Sequence, residues 1–257
     1  MTTDVDGAAP TETLEARGVK VHFAGVRAVD GVDLTLERGQ ILGLIGPNGA
    51  GKTTFMNALS GFVALTEGTI AIEGVDCTRQ SPQRLVKRGL VRTFQGVATF
   101  PDLTVFENVE LGAMSAGLGR RKARERTWDL LEGLRLQHLA RLYASSLPHG
   151  EERRVGIARA VACAPRFLLL DEPAAGLNDA ESDALAQTIV RIRDENGCGV
   201  LLVEHDMRVI FGVCQRIQVL DYGKSVAAGT PEEVRKDRKV IEAYLGKEGA
   251  DDVAESE

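Results

Sequence analysis

The sequence predicts an α/β fold: a mostly parallel β-sheet, antiparallel strands on its N-terminal side, and an α-helical subdomain inserted midway. Three observations predict it. Residues 14–75 carry short β-type segments punctuated by glycine, "VKVHF", "VDLTL", "QILGLIG" and "GTIAIEG". Residues 100–160 switch to a charged, amphipathic pattern, as in "RRKARERTWDLLEGLRLQHLARL". Beyond them "RFLLLD", "DAESDALAQTIVRIRDE" and "GVLLVEHD" alternate strand, helix and strand, the pattern of a parallel sheet.

Taken in order, residues 1–13 are small, polar or acidic and are expected to form a flexible N-terminus; residues 247–257 form an acidic tail of the same kind. One helical segment, "KTTFMNALSGF", interrupts the early strands. "GTPEEV" supplies a late helix start, with Thr230 as N-cap, Pro231 at the first helical position and Glu233 completing a capping box. The expected organisation is a discontinuous core, residues 14–95 and 160–246, with a helical subdomain over 96–159.

The stretch "SSLPHGEERRVGIARA" (145–160) opens a helix on Pro148, His149 and Gly150, with Glu151 and Glu152 in the first turn. Acidic residues there suit the positive end of the helix dipole, as in any capped surface helix. The same free N–H groups also suit an external anion.

Bulk composition narrows the function. At 44% hydrophobic and 26% charged, the 257 residues are ordinary for a soluble domain with a real core. A net charge of −6 and only 5% aromatics argue against a nucleic-acid partner. The four cysteines (Cys77, Cys163, Cys198, Cys214) are widely spaced and read as thiols in a reducing compartment, not as a zinc site. "MTTDVDGAAPTET" has no apolar stretch of a secretory signal, and no run approaches the roughly 18 apolar residues of a membrane span. The expected protein is soluble and cytoplasmic, which leaves docking on a membrane protein open.

"GPNGAGKT", from Gly46 to Thr53, fits a phosphate-binding loop and lies where one must, between an apolar strand and a helix. Its glycines let backbone N–H groups point inward around phosphate oxygens, and the helix dipole adds to the field. Lys52 is placed to reach the β- and γ-phosphates, and the Thr53 hydroxyl to meet Mg²⁺. "RFLLLDE" then sets Asp171 and Glu172 at the carboxyl edge of the sheet, Asp171 for the metal and Glu172 as general base toward water. Gln95 in "VRTFQ", "AAGLN" (174–178) and His205 in "VLLVEHD" follow in a fixed order.

With these residues in that order, the chain over about 14–246 resembles the ATP-binding subunits of ABC transporters, whose core is a P-loop NTPase fold. The resemblance implies ATP and Mg²⁺ as cofactors. Phe23 matches the aromatic that stacks on adenine, and Gly46, Pro47, Asn48, Gly49, Ala50, Gly51, Lys52, Thr53 and Thr54 match the phosphate loop. Gln95 matches the glutamine that senses metal and water, Asp171 the metal-organising carboxylate, Glu172 the catalytic one, and His205 the histidine on the γ-phosphate. The "LSGGQ" signature, which closes on ATP held by a second copy, is here "LPHGE"; His149, Gly150 and Glu151 would face that anion. Asn178 falls in the loop that crosses the dimer interface.

Pro148 removes the signature hydroxyl, and Glu151 brings a carboxylate near a phosphate, which weakens binding unless it turns away. "FPDLTVFENV", "HGEERRVGIARA", "DEPAAGLN", "VEHDM" and "AAGTPEEV" resemble importers of branched-chain and related hydrophobic amino acids. The implied partners are a second ATP-binding subunit, identical or paralogous, integral membrane permease subunits and, indirectly, a solute-binding protein. The alternatives are a lipopolysaccharide-export ATPase, similar in "GEERRVGIARA" and "AYLG", a soluble ATPase module without a transport role, and a nucleotide-gated switch that does not turn over.

Overall fold

The computed structural model describes residues 12–93 and 99–244. Its first half holds β1 (Thr13–Phe23), β2 (Val26–Glu37), β3 (Ile41–Ile45), α1 (Lys52–Leu59), β4 (Glu67–Ile72), β5 (Val75–Asp76), α2 (Pro82–Lys87), β6 (Leu90–Arg92), α3 (Val105–Ser115) and α4 (Arg120–Gly133). The second half holds α5 (His149–Ala162), β7 (Phe167–Asp171), α6 (Asp179–Asn196), β8 (Gly199–Val203), α7 (Met207–Val213), β9 (Arg216–Asp221), β10 (Lys224–Gly229) and α8 (Pro231–Lys236).

Two sheets form. The early strands pair antiparallel in the order β2-β1-β4-β5, and the larger sheet runs β10-β9-β3-β8-β7-β6. In the larger sheet every pair is parallel except β10 with β9. Every residue of β3, β7 and β8 is buried, because both faces of a parallel sheet are covered.

The two-residue period of the strands sorts their side chains into two cores. Leu168, Leu170, Val200 and Leu202 pack with residues of α3 to α7, such as Val109, Val155 and Ile189. Phe167, Leu169, Leu201 and Val203 pack instead with Phe55 and Met56 of α1 and with the antiparallel sheet. A slip of one residue would exchange the two sets, so the register is firmly specified. It also fixes the ends of β3, β7 and β8 on one edge, where the candidate residues lie.

The helical region departs from the sequence pattern at one place. The amphipathic stretch from Arg120 does not run on to Arg141; α4 stops at Gly133, Arg135 takes a left-handed φ of 56°, and a 3-10 turn follows over Gln137–Leu139. The break carries Leu134, Leu136 and Leu139 into the core, and that burial outweighs helix propensity. α5 runs unbroken through the expected boundary at 159/160. α3 meets it at backbone contact: a Cβ on Gly112 would lie 2.2 Å from the Arg159 carbonyl oxygen. The late helix starts as its sequence predicts, with Thr230 and Glu233 forming the capping box.

Candidate functional site

Between β3 and α1 the chain makes a tight loop that only glycine permits. Gly46, Gly49 and Gly51 have φ of 152°, 82° and 101°. A Cβ would lie 2.1 Å from the Leu220 carbonyl oxygen at Gly46 and 2.3 Å from that of Ala28 at Gly51. One backbone bond staples the loop to the β9–β10 turn, with Gly223 N donating to Ala50 O at 2.9 Å, and a second ties that turn to β2, with Asp30 N donating to Gly223 O at 2.8 Å.

The loop borders an open cavity of about 450 Å³. It is lined by residues 48–54, by Glu172 and His205, and by Arg27, Ala28 and Tyr222. The Lys52 ammonium is buried and donates to the carbonyl oxygens of Gly46 at 2.7 Å and Pro47 at 3.0 Å. Burial lowers its pKa, while the charges of Glu172 and Asp171 oppose that shift. Lys52 is therefore held in the strand-to-helix turn between two carbonyls and two carboxylates, a position suited to an arriving phosphate.

Asp171 ends β7 and is buried. Its Oδ2 accepts from Arg92 Nη2 at 2.8 Å, while Arg92 Nη1 donates to Asn57 Oδ1 at 2.7 Å and Ser60 Oγ at 3.0 Å. Arg92 thereby ties β6 and β7 to α1. The other oxygen, Asp171 Oδ1, is buried without a hydrogen-bond partner among the described residues. A buried carboxylate oxygen in that condition fits a hydrated cation or water.

Glu172 follows with a left-handed φ of 48°, uncommon outside glycine. Its backbone is held from both sides: its N–H donates to Val203 O at 2.9 Å, and its carbonyl accepts from Arg153 of α5. His205, just beyond β8, places Nε2 2.9 Å from Glu172 Oε1. A carboxylate and an imidazole thus face one cavity opposite a phosphate-type loop, an arrangement equipped to orient water and receive a proton.

The remaining sequence-derived residues divide. Phe23 ends β1 half-exposed at a hairpin tip, outside the cavity lining. Gln95 lies outside the described residues. His149, Gly150 and Glu151 are not in the cavity of their own chain. They form the first turn of α5, with Pro148 as N-cap and Gly150 packed near Leu177 and Glu181. Glu151 turns to Arg154, at 3.0 Å, and Glu152 accepts from Thr99 Oγ1 at 2.6 Å. Asn178 caps α6: its side chain accepts from Glu181 N at 3.0 Å, and its own N–H donates to Glu181 Oε2 at 3.0 Å.

Sequence reasoning missed Arg92, Arg153, Ala28, Tyr222 and Gly223. Only Gly223 carried a local signal, as the turn residue of "DYGK" between two strands. The four cysteines are free thiols, and burial pushes Cys198 up to about 11 and Cys214 up to about 12. Among the described residues no three His, Cys, Asp or Glu side chains gather as a metal cluster, and no helix is long and apolar enough to cross a membrane.

This fold and loop define a nucleotide-binding ATPase, and comparison gives its family. Residues 29–175 match the ABC transporter family, and the chain belongs to it, as an ATP-hydrolysing, ATP-binding subunit. Residues 226–250 match a second description, branched-chain amino acid ATP-binding cassette transporter. The chain is 40% identical over 248 residues to the high-affinity branched-chain amino acid transport ATP-binding protein BraF of Pseudomonas aeruginosa, covering 91% of this chain and 97% of that one. It is 36% identical over 237 residues to the lipopolysaccharide export system ATP-binding protein LptB of Escherichia coli, covering 92% and 98%. Among solved structures, a nucleotide-free ATP-binding cassette of an ABC transporter superposes with TM-score 0.83 at 29% identity, covering 92% of this chain and 100% of that one. A dimeric post-hydrolysis cassette bound to ADP and Pi superposes with TM-score 0.73 at 27% identity, covering 85% and 98%.

Proposed function

We propose that this chain is the motor subunit of a membrane importer for branched-chain amino acids or a related small organic solute. The observation that carries the importer reading is the match of residues 226–250 to the branched-chain amino acid cassette description, joined to 40% identity with BraF across most of the chain. The 36% identity with LptB supports a second reading, lipopolysaccharide export.

In this reading ATP phosphates enter the cradle of residues 46–54, and Lys52 exchanges its two carbonyl acceptors for phosphate oxygens. Thr53 and Asp171, with Gln95, would hold Mg²⁺; the orphaned Asp171 Oδ1 suits an ion that keeps waters and phosphates as its other ligands. Bound there, the ion would neutralise charge on the phosphates. Glu172 takes a proton from the attacking water, and His205 orients the carboxylate and meets the γ-phosphate. Phe23, at the hairpin tip, would stack on adenine.

Two copies would close on two ATP molecules, each offering His149 and Gly150 of α5 to the nucleotide of the other. Glu151 is paired with Arg154, whose charge would offset the expected repulsion of that anion. ATP has higher affinity for the closed pair and shifts the equilibrium toward it; hydrolysis releases it. The helical region, through Gln95, would pass that movement to permease subunits at the cytoplasmic face of the membrane.

A tagged pull-down from gently solubilised native membranes, read by mass spectrometry, tests the assignment. Multi-span proteins together with a solute-binding protein establish the importer. Multi-span proteins accompanied by lipopolysaccharide-handling subunits establish the second reading, and soluble partners alone overturn both.

A further inference from the structure

Glu204 is a carboxylate in an unexpected place. It follows the all-buried strand β8, is 3% exposed, and no ion pair recorded among the described residues includes it. A leucine would fill such a site without the cost of burying a charge, so the residue type needs a reason. Its two oxygens supply one. Oε1 accepts from the backbone N–H of Ala174, two residues beyond Glu172; Oε2 accepts from the N–H of His205 at 3.0 Å. One side chain thus ties the loop leaving β7 to the loop leaving β8.

Those loops carry the two groups that face each other at 2.9 Å, Glu172 and His205. Glu172 sits in a left-handed conformation that a non-glycine residue keeps only when its surroundings hold it. Val203 and Arg153 hold its own peptide groups, and Val203 ties Glu172 to the end of β8, but neither bonds the backbone of His205 or of Ala174. We infer that Glu204 is a positioning residue for ATP hydrolysis, which fixes His205 against Glu172 by binding both loop backbones. Glu204 is not among the residues that line the phosphate-loop cavity. The inference rests on the roles of Glu172 and His205 proposed above.

The test combines single-turnover hydrolysis, binding of a fluorescent ATP analogue and thermal unfolding for Glu204→Gln and Glu204→Ala, each alone and with His205→Ala. Glu204→Ala is expected to lower kcat about tenfold or more while the analogue's Kd stays within about twofold, because misplacement of catalytic groups affects the chemical step. Glu204→Gln, which keeps the shape and one acceptor oxygen, falls between. In the His205→Ala background, Glu204→Ala should lower kcat by less than about twofold further, since both changes remove the same alignment. Should Glu204→Ala fail to unfold cooperatively, Glu204→Gln decides: reduced kcat with unchanged Kd supports the inference, and wild-type kcat overturns it. Multiplying losses in the double variant also overturn it, as they mark a general structural role. Wild-type turnover by His205→Ala alone overturns the proposed role of His205 and the inference with it; loss in His205→Ala with multiplying effects overturns the inference alone.

Discussion

His205 Nε2 lies 2.9 Å from Glu172 Oε1, joining the ends of two neighbouring parallel strands across the mouth of one cavity. The contact is made possible by register: Asp171 pairs with Val203, so the residues after them emerge side by side. His205→Ala is expected to leave ATP affinity within a few-fold of wild type and to lower single-turnover hydrolysis by about 10²-fold, the scale of a lost acid–base partner. Parallel loss of affinity would place His205 in nucleotide binding alone.

Lys52 donates to two carbonyl oxygens of its own loop, which keeps a buried ammonium satisfied without a phosphate. Lys52→Ala should therefore fold, yet bind ATP about 10- to 100-fold more weakly, since a charge-assisted hydrogen bond contributes about 1.5–3 kcal/mol. Isothermal titration checks this. An unchanged dissociation constant would remove the loop from the phosphate site.

Arg92 and Asp171 form a buried pair, with side chains 5% and 1% exposed. Arg92→Met leaves a buried carboxylate without its cation, and breaking a buried pair costs about 3–5 kcal/mol. Urea denaturation should show the loss as a lower midpoint. Adding Asp171→Asn to the same protein should recover part of it, because the uncompensated charge is then gone.

Burial raises the Glu204 pKa above the ordinary glutamate value of 4.5, and backbone N–H groups oppose the shift. The folded state then holds the Glu204 proton more tightly than the unfolded state. The stabilisation from that proton is complete below 4.5 and is lost as pH rises through the elevated folded value. Wild-type stability minus that of Glu204→Gln should therefore increase as pH is lowered from neutrality toward that range. Denaturant titrations at a series of pH values measure the difference, and a flat difference would mean that Glu204 does not titrate abnormally.

Much of this was legible because local and tertiary signals agree. The short strands β3, β7 and β8, apolar but for Asp171 at the end of β7, are buried on both faces, and strand–helix alternation around them permits few topologies. The phosphate loop was legible for the same reason, since its glycines sit between a strand and a helix. Arg92 was not, because its partner lies 79 residues away and nothing in "VRTFQ" points to it. Gly223 and Ala28 meet Gly51 only after β2, β3 and β9 assemble. The end of α4 was hidden by its own amphipathic pattern, which continues past Gly133 although Leu136 and Leu139 need a turn to reach the core. Asn178 was read as an interface residue from its place in a loop; its side chain is also the cap of α6.

The most direct test of the proposed motor is sedimentation of Glu172→Gln with ATP and Mg²⁺, run beside a hydrolysis assay. The account predicts slow turnover, by about 10²-fold or more, with retained ATP binding and a stable dimer that disperses when nucleotide is removed. Wild-type turnover by Glu172→Gln, or a monomer at saturating ATP, would contradict it.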